Sequence, residues 1–120
     1  MKIVECGEGV SAAFGTKLLA DLGADVVKIE PPAGDLTRQR GPFPGDQPDP
    51  EKSGLFIYLN TNKRGVVANL QRSEEQALLH RLLKDADVLI HNVAPPEMSR
   101  HPTALRAVWT APHYARRIRS

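Results

Sequence analysis

Within its first thirty residues the chain alternates a short apolar strand, a glycine-containing turn, an amphipathic helix and a second apolar strand, an order that few folds accommodate. Residues 2–6 predict the first strand, and Gly7 and Gly9 interrupt it. Apolar residues then recur at three- and four-residue steps over residues 10–22, which predicts a helix. Residues 25–30, rich in β-branched side chains, predict the second strand. So compact a unit favours a parallel strand pair with a right-handed crossover.

A second unit of the same kind follows. Residues 66–70 predict a strand, residues 73–84 a helix, and residues 87–91 another strand. Between the units lie a loop over residues 31–50, with six prolines and three glycines, and an apolar segment over residues 54–59. We therefore expect an α/β fold with a Rossmann-like, open and mostly parallel sheet built from two β-α-β units.

The charge of the chain is divided unevenly along its 120 residues. Residues 1–97 have a net charge of −3, whereas residues 98–120 contain five arginines and no acidic residue. No nucleic-acid-binding motif accompanies these arginines, so we expect no nucleic-acid partner. The basic segment after Ala104 predicts neither a strand nor a helix over residues 115–120.

Composition also excludes several classes of protein. No run of about 18 apolar residues is present, so no membrane partner is expected. The single cysteine, Cys6, excludes an intramolecular disulfide framework, and the sequence shows no cluster of metal ligands. With no recognisable signal sequence either, a cytoplasmic location is the expectation.

One candidate ligand site lies in the turn after the first strand. Gly7 and Gly9, with Ala12 in the third glycine position and Glu30 at the end of the second strand, come close to a dinucleotide fingerprint. Glycines in that fingerprint admit a pyrophosphate, and the acidic residue binds a ribose hydroxyl. However, Glu8 places an anion beside the expected pyrophosphate. The alternative is a tight turn that merely needs glycine.

A second candidate is the polar turn over residues 60–65. Lys63 and Arg64 supply two cations that would suit an anionic ligand, with Arg64 as a bidentate fork. Alternatively, Asn60 and Asn62 only form hydrogen bonds with the backbone of their own turn. The spacing of these residues leaves both interpretations open.

Further candidates depend on where the strands end. In an open α/β sheet, ligands bind beyond the carboxyl ends of the strands, where Asn92 is expected to lie. Arg38 and Arg40 in the proline-rich loop are additional cations. His80 and His91 have no acid or nucleophile at motif spacing, and we interpret them as surface or packing residues. Cys6 is interpreted as an inert core thiol.

Several segments together resemble one family. Their order and spacing are similar to those in the N-terminal part of family III coenzyme A (CoA) transferases, which include formyl-CoA transferase and the α-methylacyl-CoA racemases. The resemblance covers about residues 3–100. It is carried by residues 20–32 (Ala-Asp-Leu-Gly-Ala-Asp-Val-Val-Lys-Ile-Glu-Pro-Pro), Gly34-Asp35, Arg38, residues 59–65 (Leu-Asn-Thr-Asn-Lys-Arg-Gly), residues 86–90 and Asn92.

The resemblance implies an activity and an assembly. The transferases of the family move CoA between an acyl-CoA and a carboxylic acid through an aspartyl intermediate, whereas in the racemases an acid/base pair works instead. Members use no permanently bound cofactor and form homodimers of interlaced chains. The implied catalytic aspartate lies beyond residue 120, so the resemblance places no catalytic residue here. We expect residues 1–100 to be an incomplete large domain, residues 101–120 to be a divergent, poorly ordered arginine-rich tail, and the 120-residue chain to be inactive alone. The alternative is a module without catalysis that binds a dinucleotide or serves in assembly.

The resemblance also implies a CoA-binding surface within the chain. Gln71 lies where many members have a lysine. Asn92 and Arg100 retain side chains suited to CoA. The implied contacts are Ala68, Asn69, Leu70, Gln71, Asn92, Val93, Ala94 and Arg100.

Overall fold

The computed structural model describes residues 1–7, 9–69 and 72–91, with only the backbone for Ser73 and for residues 115–117. Two short 3-10 turns lie in the proline-rich loop, at Leu36–Gln39 and Pro44–Asp46. The helices and strands are β1 (Lys2–Cys6), α1 (Ser11–Asp21), β2 (Asp25–Glu30), α2 (Gly54–Asn60), β3 (Arg64–Val67), α3 (Ser73–Asp85), β4 (Val88–His91) and β5 (Ala115–Arg117).

These strands form one sheet in the order β3-β2-β1-β4-β5. The first four strands are parallel, and β5 is antiparallel to β4. The expected open α/β sheet is therefore confirmed. The expectation of no strand over residues 115–120 is wrong, because the Ala115–Arg117 backbone pairs with β4. Only that pairing makes the segment a strand, and its sequence carries no apolar alternation that would reveal it.

Alternate side chains of the central strand divide the core into two layers. On β1, Val4 and Cys6 pack on the side of α3, together with Leu79 and Leu83 of that helix. Ile3 packs on the other side, in the cluster that contains Ala12 and Ala20 of α1. The parallel sheet is thus covered by a helix on each face, as such sheets require.

Helix α1 turns its small residues toward the sheet. Its buried side chains are Ala12, Ala13, Thr16 and Ala20. Of the large apolar residues whose spacing predicted the helix, Leu19 packs against that cluster, whereas Phe14 is 42%, Leu18 50% and Leu22 85% exposed. We call Val10, Phe14, Leu18 and Leu22 the α1 stripe; they follow one another at four-residue steps, with Val10 and Leu22 at the two ends of the helix, and all four are exposed.

The apolar segment before β3 is helical. Ser53 begins α2 by accepting a hydrogen bond from the amide of Phe56 at 3.2 Å. After α2, the chain enters β3 at Arg64, two residues earlier than expected, because Arg64 pairs in register with Val27 of β2. Part of the predicted polar turn therefore belongs to the sheet.

Candidate functional site

Four parallel strands end at one edge of the sheet, which we call the carboxyl edge. Ala68 and Asn69 follow β3 there. The amide of Ala68 donates to the Glu30 carbonyl at 3.0 Å, and the amide of Asn69 donates to the Glu75 carboxylate at 3.1 Å. Two implied CoA contacts thus lie at the edge where such a fold binds ligands. The other implied contacts lie outside the described residues: Leu70, Gln71, Asn92, Val93, Ala94 and Arg100.

On the α1 face of the sheet lies a row of four buried charged groups, Lys63, Glu5, Lys28 and Asp35, which we call the ionic chain. Lys63 Nζ is 2.8 Å from Glu5 Oε1, and Lys28 Nζ is 2.8 Å from Glu5 Oε2. Lys28 Nζ is also 3.0 Å from Asp35 Oδ2. All four side chains are 0–3% exposed. Two cations and two carboxylates alternate, so the buried charge is balanced.

The termini of the ionic chain hold the surrounding backbone. Lys63 Nζ also donates to the Ala13 carbonyl and to Asn60 Oδ1, both at 2.9 Å, so each of its three protons has an acceptor. At the other terminus, Asp35 Oδ1 accepts from the amide and the hydroxyl of Thr37 at 2.8 and 2.7 Å. It also accepts from the Gly9 amide at 3.4 Å.

Proton affinities follow from this pairing. Burial alone would raise the pKa of Glu5, but the ammonium groups of Lys28 and Lys63 hold it below its usual value. Burial would likewise raise the pKa of Asp35, and the Thr37 amide and Lys28 bring it below the usual value. Burial would lower the pKa of Lys28, yet the carboxylates of Glu5 and Asp35 raise it. Burial lowers the pKa of Lys63 and outweighs the hydrogen bond that its ammonium group donates to Glu5, which would raise that pKa.

Glu30, at the end of β2, has its carboxylate occupied within the chain. Arg38 Nη2 donates to Glu30 Oε1 at 3.0 Å, Arg38 Nε donates to Oε2, and the Asp35 amide also donates to Oε2 at 2.8 Å. The Arg38 guanidinium stacks 3.7 Å from the Phe56 ring centre. A ribose hydroxyl would have to displace these partners, so the structure opposes the dinucleotide interpretation. Gly9, with φ of +83°, favours the tight-turn alternative.

The polar turn does not present the two cations that its sequence predicts. Lys63 points inward to the ionic chain, and Arg64 is paired with Asp25 at 2.7 and 3.0 Å. Asn62, in the left-handed region with φ of 69°, donates to Asp21 at the end of α1 at 3.0 Å. The structure does not support an anion site here, because carboxylates of the chain itself pair with both cations. The alternative is wrong for Asn62, whose side chain donates to Asp21 rather than to the backbone of its own turn. Instead, the turn fastens α1 to the sheet.

His80 is exposed and His91 is buried in β4, in agreement with their interpretation as surface or packing residues. Arg40 is exposed in the proline-rich loop. Burial raises the pKa of the Cys6 thiol to about 12, which agrees with an inert core cysteine. Among residues 1–7, 9–69 and 72–91, there is no group of three acidic, histidine or cysteine side chains placed to hold a metal ion. None of the helices described there is long and apolar enough to cross a membrane.

Sequence reasoning missed the ionic chain. The available signal was one charged residue in the middle of each of two adjacent apolar strands, Glu5 in β1 and Lys28 in β2, which pair in register. A charge in a parallel strand is buried on either face, so it requires a partner. Asp35 and Lys63 carried no such signal, because both belong to polar segments.

A cavity of about 160 Å³ lies at the opposite edge of the sheet, at the amino ends of β1 and β2. It is lined by Lys2, Asp25 and Arg64 and by Arg81 and Asp85 of α3. Arg64 and Asp25 are already paired there. The cavity is therefore separate from the carboxyl edge, and we assign no ligand to it.

Known proteins are similar to nearly the whole chain. The family model described as CoA-transferase family III matches residues 1–111. An acetyl-CoA:oxalate CoA-transferase of Acetobacter aceti is 38% identical over 99 residues, covering 82% of this chain and 24% of the relative. A succinyl-CoA:mesaconate CoA-transferase of Haloarcula marismortui is 34% identical over 100 residues, covering 83% of this chain and 25% of the relative.

The fold has a counterpart among solved structures. The crystal structure of a CAIB/BAIF family protein from Brucella suis superimposes with a TM-score of 0.74 at 31% identity, covering 89% of this chain and 29% of that protein. The chain thus spans about a quarter of the length of the curated relatives it matches.

Proposed function

The chain belongs to CoA-transferase family III, and from this we propose that it supplies part of the acyl-CoA surface of an enzyme that transfers CoA to a carboxylic acid. The match over residues 1–111 carries the proposal. The name of each of those two relatives gives a CoA thioester as the donor and a carboxylic acid as the acceptor. The position of Ala68 and Asn69 at the carboxyl edge supports it, since ligands of open α/β sheets bind there.

The proposed CoA surface follows β3 and β4 along the carboxyl edge. It comprises the residues named above by resemblance, of which Ala68 and Asn69 are the described members. Arg100 is proposed to bind a phosphate group of CoA, because a guanidinium offers two parallel donors to phosphate oxygens. Asn92 is proposed to form hydrogen bonds with the same ligand.

The proposed chemistry needs a carboxylate nucleophile that we do not assign within residues 1–120. In the mechanism that the resemblance implies, an aspartate oxygen attacks the thioester carbonyl and the carbon–sulfur bond breaks. The CoA thiolate departs, and the acyl group and the aspartate are then joined as a mixed anhydride. The thiolate then attacks the aspartyl carbonyl of the anhydride. This step forms the aspartyl-CoA thioester and releases the acyl group as a carboxylate. Without that aspartate, covalent transfer loses nearly all its rate. We therefore propose that the 120-residue chain binds CoA without turning it over.

Calorimetric titration tests the proposed CoA surface. We expect the 120-residue chain to release heat with CoA and none with NAD, and Arg100→Gln to weaken CoA binding by roughly tenfold. Arg119→Gln is the matched control, since it removes the same charge from a position without an implied contact. Absence of heat with CoA, or equal weakening by both variants, would refute the proposed surface.

A homodimer and a cytoplasmic location belong to the same proposal. The α1 stripe supports the dimer, because a helix that is apolar on its outer face as well as toward the sheet is suited to burial on both sides. We propose that this face is covered in the assembled enzyme.

A further inference from the structure

We propose that Asp35 is a positioning residue for the acyl-CoA surface, which it serves by fixing the turn after β1 at the carboxyl edge through Lys28 and the Gly9 amide. The inference rests on the proposed function, because it concerns the same edge of the sheet. Nothing in it requires Asp35 to touch CoA.

The first step is the connectivity of Asp35. Its carboxylate links three segments: β2 through Lys28, the turn after β1 through Gly9, and its own loop through Thr37. Its amide adds the Glu30 carboxylate at the end of β2. The Asp35 side chain is 1% exposed, so water does not compete for these contacts. Movement of Asp35 therefore shifts the turn after β1 relative to β2.

The second step is the role of burying so much charge. Two buried ammonium groups and two buried carboxylates carry a desolvation cost that their mutual attraction roughly offsets, so an apolar core would serve stability as well. Apolar contacts, however, are not directional, whereas hydrogen-bonded ion pairs require a defined geometry between donor and acceptor atoms. Each contact of the ionic chain joins particular atoms at 2.8–3.0 Å, and its members come from β1, β2, the proline-rich loop and the turn before β3. The ionic chain thus determines the relative position of these segments.

The third step is location. The turn after β1 lies at the carboxyl end of the central strand, between β2 on one side and β4 on the other. A ligand that contacts the ends of β3 and β4 must pass over it. Its position therefore affects how closely CoA can approach the edge.

Amide hydrogen exchange and CoA titration on the same variants test this role. Asp35→Asn keeps the shape of the side chain but removes its charge. Asp46→Asn is the matched control, because Asp46 lies in the same loop and is exposed. We expect Asp35→Asn to raise the exchange rate of the Gly9 amide by roughly tenfold relative to that of Leu89, and the CoA dissociation constant by roughly tenfold. Asp46→Asn should change neither.

Leu89 is the internal reference because it is fully buried in β4, away from Asp35. A purely structural role would raise both exchange rates together. If Asp35→Asn does not fold, Thr37→Val takes its place. This variant removes one hydrogen bond to Asp35 Oδ1 but keeps the charge of Asp35, and the exchange rates of the Gly9 and Leu89 amides are compared in the same way. An unchanged ratio of the two rates in a folded variant would overturn the inference. CoA binding that Asp35→Asn leaves intact would also overturn it, whereas absence of CoA binding by the unmodified chain would contradict the proposed function.

Discussion

At the scale of single residues, Lys63 differs from an ordinary surface lysine in having all three ammonium protons bound by protein acceptors. Its partners are Glu5, the Ala13 carbonyl and Asn60. Because the pKa of Lys63 is lowered by burial, only these partners keep the charge tolerable in the interior. Removing one charged group from such a buried set leaves the opposite charge of its partner uncompensated in the interior.

Lys63→Met is therefore expected to lower the free energy of unfolding by about 3–5 kcal/mol, since Glu5 would lose a cation and Ala13 an ammonium donor. Arg64→Met is the control, because the Arg64–Asp25 pair is exposed and contributes about 1 kcal/mol or less. Urea unfolding of both variants measures the difference. Equal losses would show that the Lys63 contacts do not form.

Acidification is expected to destabilise the chain. The folded pKa of Glu5 lies below its ordinary value of 4.5, and that of Asp35 lies below its ordinary value of 3.8. A carboxylate with a depressed folded pKa contributes stability that is present above its unfolded pKa and is lost as the pH falls through the folded pKa. Urea midpoints should therefore be level above pH 4.5 and decline below it. Midpoints that stay level into strong acid would contradict ionised, paired carboxylates.

At the scale of secondary structure, the sequence predicted the existence of elements better than their orientation. The bounds of β1 and β2 agree with the prediction, because alternation and β-branching are local signals. Helix α1 was also predicted, but its periodicity could not reveal that alanines and Thr16 would face the sheet. The same holds for Lys63: charge and spacing suggested a ligand, whereas its inward direction depends on Glu5, 58 residues away.

The orientation of α1 leads to opposite expectations for its two faces. Ala13 is 1% exposed, so Ala13→Leu should overpack the buried side of α1 and cost about 1–3 kcal/mol. Leu18→Ala removes as much carbon as Ala13→Leu adds, but from an exposed position, and should cost about 0.5 kcal/mol or less in dilute, monomeric protein. Chemical denaturation compares the two. A larger loss for Leu18→Ala would mean that the helix is rotated from the orientation described.

At the scale of the whole molecule, the described core is small on the α1 side. There, the buried cluster consists of Ile3, Ala12, Ala20, Val26 and Ile90, and the ionic chain occupies the rest of that layer. The α1 stripe outside it presents larger apolar side chains than the buried face of the same helix. An arrangement of this kind favours association, because apolar area in water is unfavourable and a partner surface removes it.

The proposed homodimer therefore predicts that mass measured by light scattering rises with concentration of the 120-residue chain. The double change Leu18→Lys with Leu22→Lys should shift the chain to monomer, since it places two cations in the α1 stripe. Leu36→Lys is the control: Leu36 is 58% exposed but lies in the proline-rich loop. If both variants associate like the unmodified chain, or if that chain stays monomeric at every concentration, the α1 stripe is not the associating face.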